Sequence, residues 1–169
     1  DRIAPRISKT AKTLWLIYCG FTICEIILLV LGGMPLFDAI CHSFATMATG
    51  GFGTKNANIA YYKSGFIQWV ITIFMFLAGM NFTLHYHFLK GRIGTVLRDT
   101  EFKVYLAIVV ISSLVIAVDL LVSGVFGNIG DSLRHASFQV SSILTTTGFA
   151  STDFEQWPQL SQTVLFLLM

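Results

Sequence analysis

Apolar residues run through this chain in long blocks, and polar residues punctuate the blocks rather than alternate with them. The first block, Leu14 to Leu31, follows Arg2, Arg6, Lys9 and Lys12. Its length is close to the ~20 residues a helix needs to cross ~30 Å of hydrocarbon. Gly32, Gly33, Met34 and Pro35 stop it, and Asp38 opens a run to about Met47 that is too short to span. A polar loop from Thr54 to Ser64 leads to Gly65–Leu84, which predicts a second spanning helix. The basic loop Lys90–Arg98 leads to a third, Val104–Phe126. After a turn at Gly127–Gly130, Asp131 to about Thr145 predicts a second short helix, and a last apolar run follows Pro158. The order is span, short helix, loop, span, and then the same again.

The repetition extends to individual residues. Ala45-Thr-Met-Ala-Thr-Gly-Gly-Phe-Gly-Thr54 lines up with Leu144-Thr-Thr-Thr-Gly-Phe-Ala-Ser-Thr152, pairing Thr49 with Thr146, Gly51 with Gly148 and Phe52 with Phe149. Asp38 and Asp131 each stand where a helix N-terminus and its dipole favour an acid. His42 and His135 follow each Asp by four residues. From His to Gly is nine residues in the first copy and thirteen in the second. The extra four make about one helical turn, which keeps the same face inward. The chain is thus an internal repeat of roughly 97 residues.

Composition narrows the class. Hydrophobic residues make up 54% and charged residues 12%, against about 25% charged in soluble domains, so an all-α membrane protein is predicted. A net charge of +2, with no cluster of basic and aromatic residues, argues against nucleic acid as a partner. Cys19, Cys24 and Cys41 have neither disulfide nor zinc spacing and read as buried thiols. The chain opens on Asp1 and stops at Met169 inside an apolar run, which predicts a piece of a longer protein. Arg2, Arg6, Lys9, Lys12, Lys90, Arg92, Arg98 and Lys103 flank one side of the predicted spans, and only Lys55, Lys63 and Arg134 the other. That asymmetry predicts a cytoplasmic N-terminus and middle loop, with both Gly-Phe strings opening outward.

Gly- and Thr-rich backbone inside a membrane is tolerated only where protein or water satisfies its polar groups. A single Thr-x-Gly-Phe string reads first as a small-residue packing patch. Two copies in matching contexts favour a row of carbonyl oxygens that replaces the hydration shell of a cation, for which potassium is suited. A short helix entering from outside would aim the negative end of its dipole at the ion. On this reading Gly51 and Gly148 supply carbonyls at equivalent heights. Thr49, Gly50 and Phe52 accompany the first, Thr146, Thr147 and Phe149 the second, and Ala48 and Thr145 form the inner mouth. Glu25 and Asp119 are acids inside spanning runs, and either hydrogen-bonded structural roles or a cation-attracting field would account for them. Asn81, His85 and His87, with Tyr86, read as an interfacial polar-aromatic belt rather than a metal site.

Gly32-Gly-Met-Pro-Leu-Phe-Asp-Ala, Ala48-Thr-Gly-Gly-Phe, Phe76-Leu-Ala-Gly-Met-Asn-Phe, Leu97-Arg-Asp-Thr-Glu-Phe and Phe138-Gln-Val-Ser-Ser-Ile-Leu-Thr-Thr-Thr-Gly-Phe-Ala closely resemble bacterial TrkH potassium-uptake proteins. The resemblance covers the whole chain. It implies four tandem repeats of helix, pore helix, filter loop and helix in one parent chain, around a single pseudo-fourfold, potassium-channel-like pore. Residues 1–90 would be the second-type repeat, and 91–169 the third-type repeat truncated in its inner helix. It further implies potassium uptake across the bacterial inner membrane, with no organic cofactor and no enzymatic activity. The implied partners are the remaining repeats, a second copy in a homodimer, and a cytosolic TrkA-type nucleotide-binding ring. The family's gate, a break in the third repeat's inner helix, would lie mostly beyond Met169. A non-transporting scaffold and an intramembrane enzyme using Glu25, Asp119 and histidines remain as other classes. The enzyme would need groups to converge that the sequence places at opposite ends of the spans.

Overall fold

The computed structural model describes residues 3–89, 91 and 93–169. Of the basic residues that predict orientation, Arg2, Lys90 and Arg92 lie outside the described residues, as do the side chains of Arg6 and Lys9. The described residues are helices joined by turns and loops, without strands. α1 (Ile3–Leu31) contains the stretch Ala11–Leu31, and α6 (Thr100–Val122) matches it in the second half; both are long and apolar enough to cross a membrane. Their outward residues are apolar: Trp15, Ile23 and Ile27 on α1, and Val104, Ile111 and Val118 on α6. Asp99 caps α6 by accepting from the Phe102 N–H at 3.0 Å, one of the donors that no helix satisfies internally.

The two short helices are α2 (Leu36–Met47) and α7 (Ile129–Leu144). Each begins two residues earlier than its Asp suggests. Pro35 precedes α2, and the Asn128 side chain caps α7 by accepting from the Asp131 N–H at 2.7 Å. Asp38 and Asp131 remain in the first turns. The helices have 12 and 16 residues, the one-turn difference that the sequence spacing requires.

The predicted continuous span Gly65–Leu84 is broken. α3 (Gly65–Ala78) ends at Gly79, and α4 (Phe82–Leu89) starts after Asn81. The freed carbonyls find side-chain partners. The Tyr105 hydroxyl donates to the Phe76 carbonyl at 3.1 Å, and a ring nitrogen of His85 lies 2.9 Å from the Leu77 carbonyl. Asn81 donates to the Glu101 carboxylate at 3.3 Å. Irregular backbone at membrane depth persists only with such partners. α5 (Ile93–Arg98) links α4 to α6, and α8 (Gln159–Leu167) closes the chain.

α2 packs on α1 and α3, while α7 packs on both α6 and α3. The two repeats therefore interlock through α3 and α7. One core joins Leu29, Ile71, Met75, Phe138 and Phe149 across this joint. A second gathers Ile116, Leu120, Val140, Trp157 and Leu165 around α6 and α8.

Candidate functional site

Both Gly-Phe strings leave their short helices through the same turn. After α2 the Thr49 N–H bonds the Thr46 carbonyl at 3.0 Å, and the Gly50 N–H bonds the Ala45 carbonyl at 2.8 Å. After α7 the Thr146 N–H bonds Ile143 at 2.9 Å, and the Thr147 N–H bonds Ser142 at 2.8 Å. This is the Schellman arrangement, which needs a left-handed residue just beyond the helix. Glycine is usual there, yet here the residues are Thr49 at φ 49° and Thr146 at φ 56°. Positive φ is a genuine outlier for a β-branched side chain. Two residues on, Gly51 and Gly148 are left-handed again, at φ 67° and 82°. The preceding caps also match, with Ala48 at φ −84°, ψ 0° and Thr145 at φ −88°, ψ 5°. The two strings thus place left-handed residues at the same alternate positions, one repeat apart.

Side chains hold the strings from behind. The Thr145 hydroxyl donates to the Ser141 carbonyl at 2.7 Å and stands 2.7 Å from the Thr147 hydroxyl. Ser142 donates to the Phe149 carbonyl at 2.6 Å. In the first string, Asn58 donates to the Gly51 carbonyl at 3.1 Å. Exposure alternates along the second string: Thr146 and Gly148 are open, whereas Thr145, Thr147 and Phe149 are buried. Ala48 is exposed, and Thr49, Gly50 and Gly51 are half-buried. The strings also meet each other. A β-carbon on Gly51 would overlap the Thr147 carbonyl oxygen, and the Ala60 N–H donates to the Ala150 carbonyl at 3.1 Å. A β-carbon on Gly148 would meet nothing. Nearby, Tyr62 donates to Asp38 at 2.6 Å, and Lys55 lies 3.6 Å from the same oxygen. Burial, and then that hydrogen bond, pushes the Tyr62 phenol up to about 12, so it stays a donor.

The paired phenylalanines differ. Phe149 is fully buried against His42, whereas Phe52 is 81% exposed. The two acids differ as well. Glu25 is completely buried beside Thr46. Asp119 accepts the Ser161 N–H at 3.1 Å and the Ser161 hydroxyl at 2.5 Å, and so caps the start of α8. His85 is buried under α3, with its ring edge toward Phe21, and does not sit in an exposed belt. The acids and His85 each face a different partner and do not converge.

Short helices that stop at matched left-handed loops, each preceded by an apolar helix long enough to span, define a membrane protein of tandem helix–loop–helix class. The family described as "TrkH: Cation transport protein" matches residues 1–169, and the chain belongs to it. The Trk system potassium uptake protein TrkH of Salmonella typhimurium is 42% identical over 167 residues, covering 94% of this chain and 33% of that protein. TrkG of Escherichia coli is 35% identical over 170 residues, covering 100% and 34%. The crystal structure of the potassium transporter TrkH from Vibrio parahaemolyticus aligns at TM-score 0.91 and 38% identity, over 97% of this chain and 36% of that one. The chain spans about a third of the length of these relatives.

Proposed function

We propose that the two strings are two of the four filter segments of a potassium-uptake protein of the bacterial inner membrane. The observation that carries this reading is the matched backbone: left-handed at Thr49 and Gly51, and again at Thr146 and Gly148, directly after a helix C-terminus. Alternating handedness lets successive carbonyls face one side, and the negative ends of two helix dipoles reinforce the attraction for a cation. The ion path runs along the carbonyls of Ala48, Thr49, Gly50 and Gly51 and of Thr145, Thr146, Thr147 and Gly148. Phe52 and Phe149 accompany them in the filter segments, the Phe149 carbonyl held by the Ser142 hydroxyl. The substrate is the potassium ion, and transport requires no organic cofactor or bond-making chemistry. The excess of basic residues on one side supports a cytoplasmic N-terminus and middle loop. The relatives' description as parts of a Trk system supports further protein components, and the components proposed are a second copy in a homodimer and a cytosolic TrkA-type nucleotide-binding ring.

Gly148→Ser tests the reading, in a full-length Trk chain carrying this segment. A side chain at φ 82° has room but strains the backbone, so the carbonyl ring distorts while the fold holds. Preference for rubidium over sodium in an uptake assay is expected to fall about tenfold, equivalent to ~1.4 kcal/mol, with expression near normal. Wild-type fluxes of both ions would remove these loops from the filter.

A further inference from the structure

His42 lies outside the ion path, yet it touches both strings. Its ring is fully buried, and neither ring nitrogen finds a hydrogen-bond partner among the described residues. The ring centroid is 5.7 Å from that of Phe149, which follows Gly148 in the second string. It is 5.8 Å from Tyr62, edge to face at 90°. On its other side, a β-carbon added to Gly53 would come 3.2 Å from His42 Cε1, so the ring lies directly behind the first string as well. Within α2, the Thr46 hydroxyl donates to the His42 carbonyl at 2.8 Å.

Burying a polar ring without partners carries a desolvation cost that an apolar side chain would avoid. The ring stands between Gly53, Tyr62 and Phe149, and a branched aliphatic side chain would lose the flat face toward Phe149. The second repeat repeats the choice. Gln139 stands nine residues before Gly148, as His42 stands nine before Gly51. It too is buried, and its Oε1 has no partner among the described residues. A buried polar side chain thus stands nine residues before the string glycine in each repeat.

We propose that His42 is a positioning residue that locks the first filter in register with the second through the Phe149 ring. The bond from the Ala60 N–H to the Ala150 carbonyl, and the close approach of Gly51 to Thr147, belong to the same joint. Together they make the two strings one rigid arc. The proposal rests on the filter reading above and adds the residue that couples its segments.

The test is a double-mutant cycle in a full-length Trk chain carrying this segment, read as rubidium uptake with and without sodium competition. H42A and F149A are each expected to lower rubidium-over-sodium preference about tenfold. The double variant should be no worse than the worse single, because both remove one contact. H42Q, which places the Gln139 side chain type at position 42, should keep wild-type selectivity. If H42A fails to accumulate, H42L takes its place in the cycle, and H42L/F149A is again expected to be no worse than the worse single variant. Unchanged selectivity in both single variants, or losses that multiply in H42A/F149A, would overturn the proposal. Gly148→Ser in the same assay separates the two levels: a loss there with none at His42 or Phe149 sinks only the coupling, and no loss there sinks both.

Discussion

Gly79 lies so close to Thr145 that a β-carbon on it would stand 2.5 Å from the Thr145 γ-methyl and 2.7 Å from the Tyr105 hydroxyl. The break in the first repeat's inner helix is therefore packed directly beneath the first residue of the second string. Gly79→Ala must push one of these groups aside, and overpacking of this kind costs about 1–3 kcal/mol. Rubidium uptake by a full-length Trk chain carrying the substitution is expected to fall several-fold, with a lowered thermal midpoint. Wild-type values of both would mean that the contact supports nothing.

Tyr105 closes the same break from α6, with its hydroxyl on the Phe76 carbonyl and its ring stacked on Phe76 at 4.8 Å and 21°. Tyr105→Phe keeps the stack and removes only the hydrogen bond. About 1 kcal/mol of stability should go with it, roughly 2–4 °C in thermal midpoint for a chain of this size. A thermal shift assay in detergent checks this, and no shift would show that the carbonyl finds another donor.

Much of the fold is legible in the sequence. The repeat, the short helices one turn apart in length, and the Gly-Phe strings all follow from spacing, because each is encoded within a few residues of itself. The break at Gly79–Asn81 is not, since Gln68, Gly79 and Asn81 interrupt Gly65–Leu84 only lightly and the partners that permit the break, Tyr105, Glu101 and His85, lie outside α3. The left-handed turns were half legible. Gly51 and Gly148 advertise positive φ, but nothing in a threonine announces φ 49° or 56°, which tertiary packing imposes. Phe52 and Phe149 each follow a Thr-x-Gly string yet are opposite in burial, Phe149 packing on His42 of α2.

The two intramembrane acids looked alike in sequence and are distinguished by their partners. Asp119 is held by Ser161, 42 residues away, while Glu25 is fully buried next to Thr46. Asp119→Asn retains an acceptor for the Ser161 N–H and should leave the apparent KM for potassium unchanged, as should Glu25→Gln. Asp119→Ala loses both bonds and should cost about 1–3 kcal/mol of stability. Uptake kinetics at low and high ionic strength provide the check. A KM that rises in the Asn and Gln variants, most at low salt where screening is weakest, would restore the acids to a cation-attracting field.

Anomalous diffraction from crystals of a full-length Trk chain carrying this segment, soaked in thallium or rubidium, shows whether the matched left-handed strings line one ion path. Ion peaks are expected on a single axis, within coordination distance of carbonyls from both strings at once, with Thr49 level with Thr146 and Gly51 level with Gly148. Peaks that touch only one string, or that lie away from both while the protein still transports potassium, would contradict it.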